Sequence, residues 1–160
     1  MKTSLFIITL IAYTTFMACG QSKNKVAESK VKSTQSNAEL KKKLSPLAYE
    51  VMVNKDTEMP FKNSYHDNHE KGIYVSAATG EPLFSSEDKF DSGTGWPSFS
   101  KPINQESVAV ASDESMGMSR DEVVERANGL HLGHVFNDGP QPTGLRYCIN
   151  SAALKFIKKK

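Results

Sequence analysis

What the sequence lacks narrows its chemistry before any motif is read. No glycine-rich loop follows a strand-like run, so no nucleotide cofactor is expected, and no internal repeat is present. The apolar run from Leu5 to Ala18 falls short of the about 20 residues that a membrane-spanning helix needs. Charge of one sign is nearly balanced, with 20 Lys and Arg against 18 Asp and Glu, a net of +2. That small excess is confined to one place. Gly20 to Ser45 holds seven lysines (23, 25, 30, 32, 41, 42 and 43) against Glu28 and Glu39, a net of +5; with Lys2 also set aside, Pro46 to Lys160 carries −4. A nucleic-acid-binding domain would place its positive field on the fold, so no nucleic-acid partner is expected. The lysines read as a solvated tether, with attraction to anionic lipid headgroups as the second reading. Thiol and indole are scarcest: two cysteines, Cys19 and Cys148, and one tryptophan, Trp96.

The N-terminus accounts for one of those cysteines. Met1-Lys2, the apolar run broken by Thr9, Thr14 and Thr15, and then small residues have the shape of a secretory signal. Its end, Phe16-Met17-Ala18-Cys19-Gly20, resembles a bacterial lipoprotein signal, although Phe16 stands where leucine is more usual. The resemblance implies a signal peptide over 1–18 and a lipidated Cys19. It also implies an exported lipoprotein, anchored in a membrane and facing the periplasm or the cell exterior. Ordinary cleavage with Cys19 unmodified is the alternative. Residues 19–36 are rich in Lys, Ser, Gln and Asn and, from Gln21, lack aromatics; they read as a flexible polar linker, unable to bury enough surface to offset ordering. If Cys19 is lipidated, Cys148 is the single thiol of an exported protein, which makes it either buried or reactive.

The domain is expected over 37–160. Asn37 looks like the cap of a short helix through Leu44. Ser45-Pro46 opens a second, with Leu47, Ala48 and Val51 as its inner face. From Gly72 the texture changes to short strand-like runs: 72–76, 82–85, 108–111, 122–125, 132–136 and 146–150. Gly, Pro, Asn or Asp breaks such as Thr79-Gly80-Glu81-Pro82, Ala127-Asn128-Gly129 and Asp138-Gly139-Pro140 separate most of them. That pattern predicts a mainly β, antiparallel domain with short N-terminal helices.

The chemistry-bearing residues gather late in the chain. On a strand over 146–150, Arg146, Cys148 and Asn150 share one face, and Tyr147 and Ile149 share the core face. Alone, such a cysteine is more often buried and inert. His131 and His134, in His131-Leu132-Gly133-His134, change the balance, because histidines beside a thiol can hold the thiolate or donate a proton. They could also be core histidines or metal ligands. A second pair, His66 and His69, keeps a metal open in principle, but His-x-x-His is weak evidence and a surface loop is the better reading. Trp96, in Gly95-Trp96-Pro97-Ser98-Phe99, is either a core aromatic or a pocket wall for an apolar group, with Phe99 or Phe136 beside it.

Several ordered motifs together resemble a family. They are Gly80-Glu81-Pro82-Leu83-Phe84, then Lys89-Phe90-Asp91-Ser92-Gly93-x-Gly95-Trp96-Pro97-Ser98-Phe99, then His131-Leu132-Gly133-His134-Val135-Phe136-x-Asp138-Gly139-Pro140, and Gly144-x-Arg146-Tyr147-Cys148-Ile149-Asn150-Ser151. From about Leu40 to Ile157 the chain is similar to the type B methionine sulfoxide reductases. The resemblance implies two packed antiparallel sheets with short N-terminal helices, and reduction of the R epimer of methionine sulfoxide, mainly in proteins. It implies Cys148 as nucleophile, with His131, His134 and Asn150 around the sulfoxide oxygen and Trp96 against the substrate methyl. Phe136 is expected to complete the substrate wall; Arg146, beside the nucleophile, is assigned to substrate binding with a less defined part.

The chain departs from the family pattern at its other thiols. Where many members hold structural zinc through two Cys-x-x-Cys pairs, this chain has Ser76 and Thr79, then Glu125 and Asn128. Thr94 stands where some members have a resolving cysteine. The expectations are a zinc-free, monomeric protein with no cofactor, standing on packing alone, and a sulfenic acid on Cys148 regenerated by an external thioredoxin-like thiol. Oxidised proteins or peptides are the expected substrates. A family-shaped binding module and a Cys/His hydrolase forming an acyl intermediate are the two other readings.

Overall fold

The structure, a computed structural model, describes residues 36–160. The signal sequence, Cys19 and the linker up to 35 lie outside the described residues.

Two short helices lead into the β domain. Helix α1 (Asn37–Lys43) is capped by Ser36, not by Asn37: the Ser36 hydroxyl accepts from the Glu39 N–H while the Glu39 carboxylate accepts from the Ser36 N–H. This reciprocal box needs an acid three residues after the cap, a spacing Asn37 lacks and Ser36 has. Helix α2 (Pro46–Asn54) starts at the Ser45 cap with proline in its first turn and stops where Lys55 turns left-handed, φ 60°. Ala48, Val51 and Met52 form its buried face, whereas Leu47 is 51% exposed, contrary to its expected inward position.

The strands are β1 (Gly72–Ser76), β2 (Pro82–Ser85), β3 (Lys89–Phe90), β4 (Ser98–Phe99), β5 (Val108–Asp113), β6 (Arg120–Glu125), β7 (His131–Phe136), β8 (Arg146–Ile149) and β9 (Leu154–Lys158). They form two antiparallel sheets, β2-β1-β9 and β3-β4-β8-β7-β6-β5. The fold is the expected one. The two-residue strands β3 and β4 are too short to carry a periodic pattern, and β9 runs straight on from the 3₁₀ turn Ser151–Ala153 with no Gly or Pro to announce it.

The sheets meet through rings. Phe84 from the small sheet stacks on Phe99 of the large one at 4.5 Å, and Tyr74 meets Phe99 edge-on at 5.1 Å. Tyr147 of β8 approaches Phe84 at 5.9 Å. Tyr74 and Phe99 are fully buried, and burial pushes the Tyr74 phenol up to about 12. Phe99 therefore belongs to the core and not to a pocket.

A second link joins the sheets through residues 76, 79, 125 and 128. Glu125, at the end of β6, is fully buried, and its carboxyl accepts from Ser76 Oγ at 2.8 Å, Asn128 Nδ2 at 2.9 Å and the Thr79 hydroxyl. Ser76 closes β1, so this knot ties the small sheet to the large one. The domain thus stands on packing and on a polar cross-link, a correction to packing alone. Glu125→Ala leaves three donors without their acceptor. Urea denaturation should show a stability loss of about 3 kcal/mol, and a loss near zero would mean that water satisfies them.

Candidate active site

The site is set by strand register. In β8, Cys148 pairs with Ser98 of β4 on one side and with His134 of β7 on the other. Directly paired residues of an antiparallel sheet project to the same face, so the hydroxyl, thiol and imidazole form one row. Tyr147 and Ile149 project to the other face and are buried, as expected. Gly133 lets β7 come this close: a Cβ there would lie 2.0 Å from the Cys148 carbonyl oxygen and 2.9 Å from Ile149 Cα.

His131 reaches the same face by an irregularity. Regular alternation would put it opposite His134. The register slips between Val123 and Val124, however: Gly133 faces Val123 and His131 faces Val124, leaving Leu132 as the extra residue. The bulge reverses the parity of His131. Its Nδ1 then meets the carboxylate of Glu122 at 2.8 Å, and its ring lies 5.4 Å from that of His134.

Each histidine has its own carboxylate. Glu122 is 2% exposed and also binds Lys55 Nζ at 2.8 Å. Burial pushes its pKa upward, but the hydrogen bonds from His131 and Lys55 more than offset this and hold it below the ordinary value. His134 Nε2 lies 2.8 Å from Asp113 Oδ2, which also accepts from Arg120 at 3.0 Å. Hydrogen bonds from Ser115 and His134 hold Asp113 well below the usual carboxylate range. Burial lowers the His134 pKa, which favours the neutral ring with Nε2–H donated to Asp113 and Nδ1 uncommitted. His131 Nε2 is buried and, like Arg120 Nε, has no hydrogen-bond partner.

A cavity of about 130 Å³ opens over the thiol, lined by Thr57, Trp96, Arg120, Gly133, His134, Phe136, Cys148, Ile149 and Asn150. Of the residues expected at the site, Trp96, Phe136, His134, Cys148 and Asn150 border it. His131 lies one layer behind. Arg146 is also outside the lining: its guanidinium makes two 2.8 Å bonds to Asp138 and lies 4.4 Å over the Phe136 ring, so it braces a wall. Asn150 falls just past the end of β8 and is largely committed. Its Oδ1 accepts from Glu58 N at 3.2 Å and its Nδ2 donates to Leu132 O at 3.1 Å. Asp113, Glu122, Lys55, Arg120 and Thr57 escaped sequence reasoning. Only the alternation of Glu122 with buried Val123 offered a hint. Away from the site, His66 Nδ1 faces its neighbour Asn63 O and His69 Nε2 faces Asp67, both within one surface stretch.

Burial pushes the Cys148 thiol up, while the charge of Arg146 and hydrogen bonds from Thr94, Arg146 and Ser98 pull it back. Thr94 Oγ1 lies 4.0 Å from the sulfur and continues through Ser92 Oγ (2.8 Å) to Ser98 Oγ (2.7 Å), a hydroxyl chain beside the thiol.

Taken together, these features define a single-thiol site in a two-sheet β domain, sheltered, aromatic on one side and served by histidine–carboxylate pairs. A family model for the SelR domain matches residues 44–158. The chain belongs to that family, the type B methionine sulfoxide reductases that its motifs resemble. A relative from Vibrio cholerae serotype O1, named peptide methionine sulfoxide reductase MsrA/MsrB, is 52% identical over 138 residues, which make up 86% of this chain and 36% of the relative. The chain thus spans about a third of the length of that curated relative.

The thiol geometry has a pH consequence. Because the Cys148 pKa is raised, iodoacetamide alkylation should gain rate with pH through an inflection above the ordinary cysteine value. Arg146→Ala removes a charge that lowers it and should move the inflection further up. An inflection below the ordinary value in the unmodified protein would contradict this electrostatic account.

Proposed function

We propose that the protein reduces the R epimer of peptide-bound methionine sulfoxide to methionine, with Cys148 as nucleophile, as a protein-repair enzyme. The observation that carries this reading is the row Ser98–Cys148–His134 beneath a cavity walled by Trp96 and Phe136. A volume of about 130 Å³ is far below the hundreds of Å³ of a drug-sized ligand site and suits one side chain. An aromatic wall takes a methyl group, while polar groups on the opposite side take oxygen, and only one hand of a sulfoxide satisfies both.

The proposed reaction moves one oxygen atom. The Cys148 sulfur attacks the sulfoxide sulfur; the oxygen then passes to Cys148 as the substrate's sulfur–oxygen bond and the transient sulfur–sulfur bond break, and the thiol proton follows the oxygen. The products are methionine and a sulfenic acid on Cys148. A sulfoxide sulfur becomes a fair electrophile only when its oxygen is protonated or strongly hydrogen-bonded; the free Nδ2 hydrogen of Asn150 is assigned to bond that oxygen, and neutral His134, backed by His131, is assigned to take the thiol proton at its uncommitted Nδ1 and pass it to the oxygen. With Thr94 in place of a thiol, an external dithiol of the thioredoxin type reduces the sulfenic acid, releasing water and becoming a disulfide. We further propose that the protein acts as an exported, monomeric lipoprotein anchored through Cys19.

Mixing the protein with one equivalent of R-sulfoxide peptide and no reductant should add one oxygen atom to Cys148 and yield one equivalent of methionine. The S epimer should do neither, and Cys148→Ser should lose turnover completely. Full turnover in that variant would sink the proposal.

No cofactor enters this reading. The donors at 76, 79, 125 and 128 are two hydroxyls, a carboxyl and an amide, a set without the thiolate or imidazole that zinc favours, and the Glu125 oxygens are already taken. Treatment with a strong chelator should leave both melting temperature and activity unchanged. A fall in either would show that a metal contributes.

A further inference from the structure

One buried acid is used by nothing described so far. Glu58 lies in the irregular segment between α2 and β1 and is 6% exposed. Burying a carboxylate is costly unless it is fully hydrogen-bonded, and this one is: its two oxygens accept separately from the N–H groups of Ser151 and Ala152, the latter at 2.9 Å. Those N–H groups open the 3₁₀ turn Ser151–Ala153 that directly follows the thiol strand and Asn150. The main chain of Glu58 faces the other way and meets two residues of the site. Its carbonyl accepts from Trp96 Nε1 at 3.0 Å, and its N–H donates to Asn150 Oδ1 at 3.2 Å. Its neighbour Thr57 lines the thiol cavity, although Glu58 itself does not.

We propose that Glu58 is a positioning residue for the methyl-side wall: its carboxylate clamps the turn after the thiol strand, and its own peptide groups, fixed by that clamp, hold Trp96 and Asn150 at the cavity. A carboxylate is required because both of its oxygens are acceptors. An amide of the same shape offers one acceptor and turns an N–H₂ donor toward a second N–H. The loss should appear in the aim of the indole. A loosened apolar wall weakens substrate holding more than it slows chemistry at the thiol. The kinetic arm of the test rests on the proposed sulfoxide reduction, whereas the optical arm does not.

The full chain carries one tryptophan, so emission excited beyond the tyrosine absorption band reports Trp96 alone. Glu58→Gln is compared with the unmodified protein, with N-acetyl-methionine-R-sulfoxide amide as substrate and dithiothreitol as reductant. Expected are a shifted Trp96 emission and a KM raised about tenfold, the low end of what a degraded apolar pocket loses, with a smaller fall in kcat from the loosened Asn150. A second variant, Ala152→Pro, deletes one of the two gripped N–H groups while leaving Glu58 in place, and should move both readouts in the same direction. Unchanged emission and KM in whichever variant folds would overturn the proposal. Loss of the fold in both would overturn it as well, in favour of a structural acid only. If the unmodified protein fails to reduce the R epimer, the proposed function fails, and the emission comparison still decides the clamp.

Discussion

The pairing of Arg146–Ile149 between two neighbouring strands is the constraint from which the rest of the molecule follows. Main-chain hydrogen bonds fix its register to β4 and β7. Because side chains alternate, a slip by one residue would send Cys148 into the core and Tyr147 into the cavity. The same alternation that places Tyr147 against Phe84 between the sheets places the thiol beside His134 on the open face. Core and site are two faces of one short strand, and the stacked rings that hold the sheets together also hold the thiol in place. Gly133 is the local requirement, since any Cβ there would collide with the main chain of Cys148.

Around that strand the charges are arranged in pairs. Asp113 faces His134 and Glu122 faces His131, with Arg120 and Lys55 behind them. Carboxylates anchored in this way orient the imidazoles and fix which ring nitrogen carries a proton. The thiol is handled differently. Burial favours the protonated form, and the charge of Arg146 offsets it only partly. In the proposed reaction this is useful, because the proton that the sulfenic oxygen requires is already on the attacking sulfur.

Two further polar clusters act at a distance from the sulfur. The Glu125 knot joins the sheets with hydroxyl and amide donors. The segment after α2 crosses the site as a strap, with Lys55 reaching Glu122, Thr57 bordering the cavity and Glu58 gripping the turn beyond Asn150. The Glu125 knot and the Glu58 carboxylate are buried and hydrogen-bonded, the condition under which polar groups specify one geometry without a large cost in stability.

The sequence by itself determined the antiparallel β class, the helices at its start, and the thiol with its indole, imidazoles and amide. The class and the helices depend on short-range rules, turn chemistry between runs and alternation along the strands; the indole, imidazoles and amide are joined to the thiol by the resemblance of ordered motifs to a family. It could not place His131, because a bulge reverses parity by one residue and leaves no mark in the pattern His131-Leu132-Gly133-His134. Nor could it find β9; and although Phe136 is the expected wall, only sheet packing shows why Phe99, equally aromatic, is inside and Phe136 at the cavity. Arg146 could be seen beside the thiol but not its turn toward Asp138. The carboxylates Asp113, Glu122 and Glu58 reach their partners across 21, 9 and as many as 94 residues of chain. Such contacts are made by folding alone, because nothing local to an acid says which distant nitrogen it will meet.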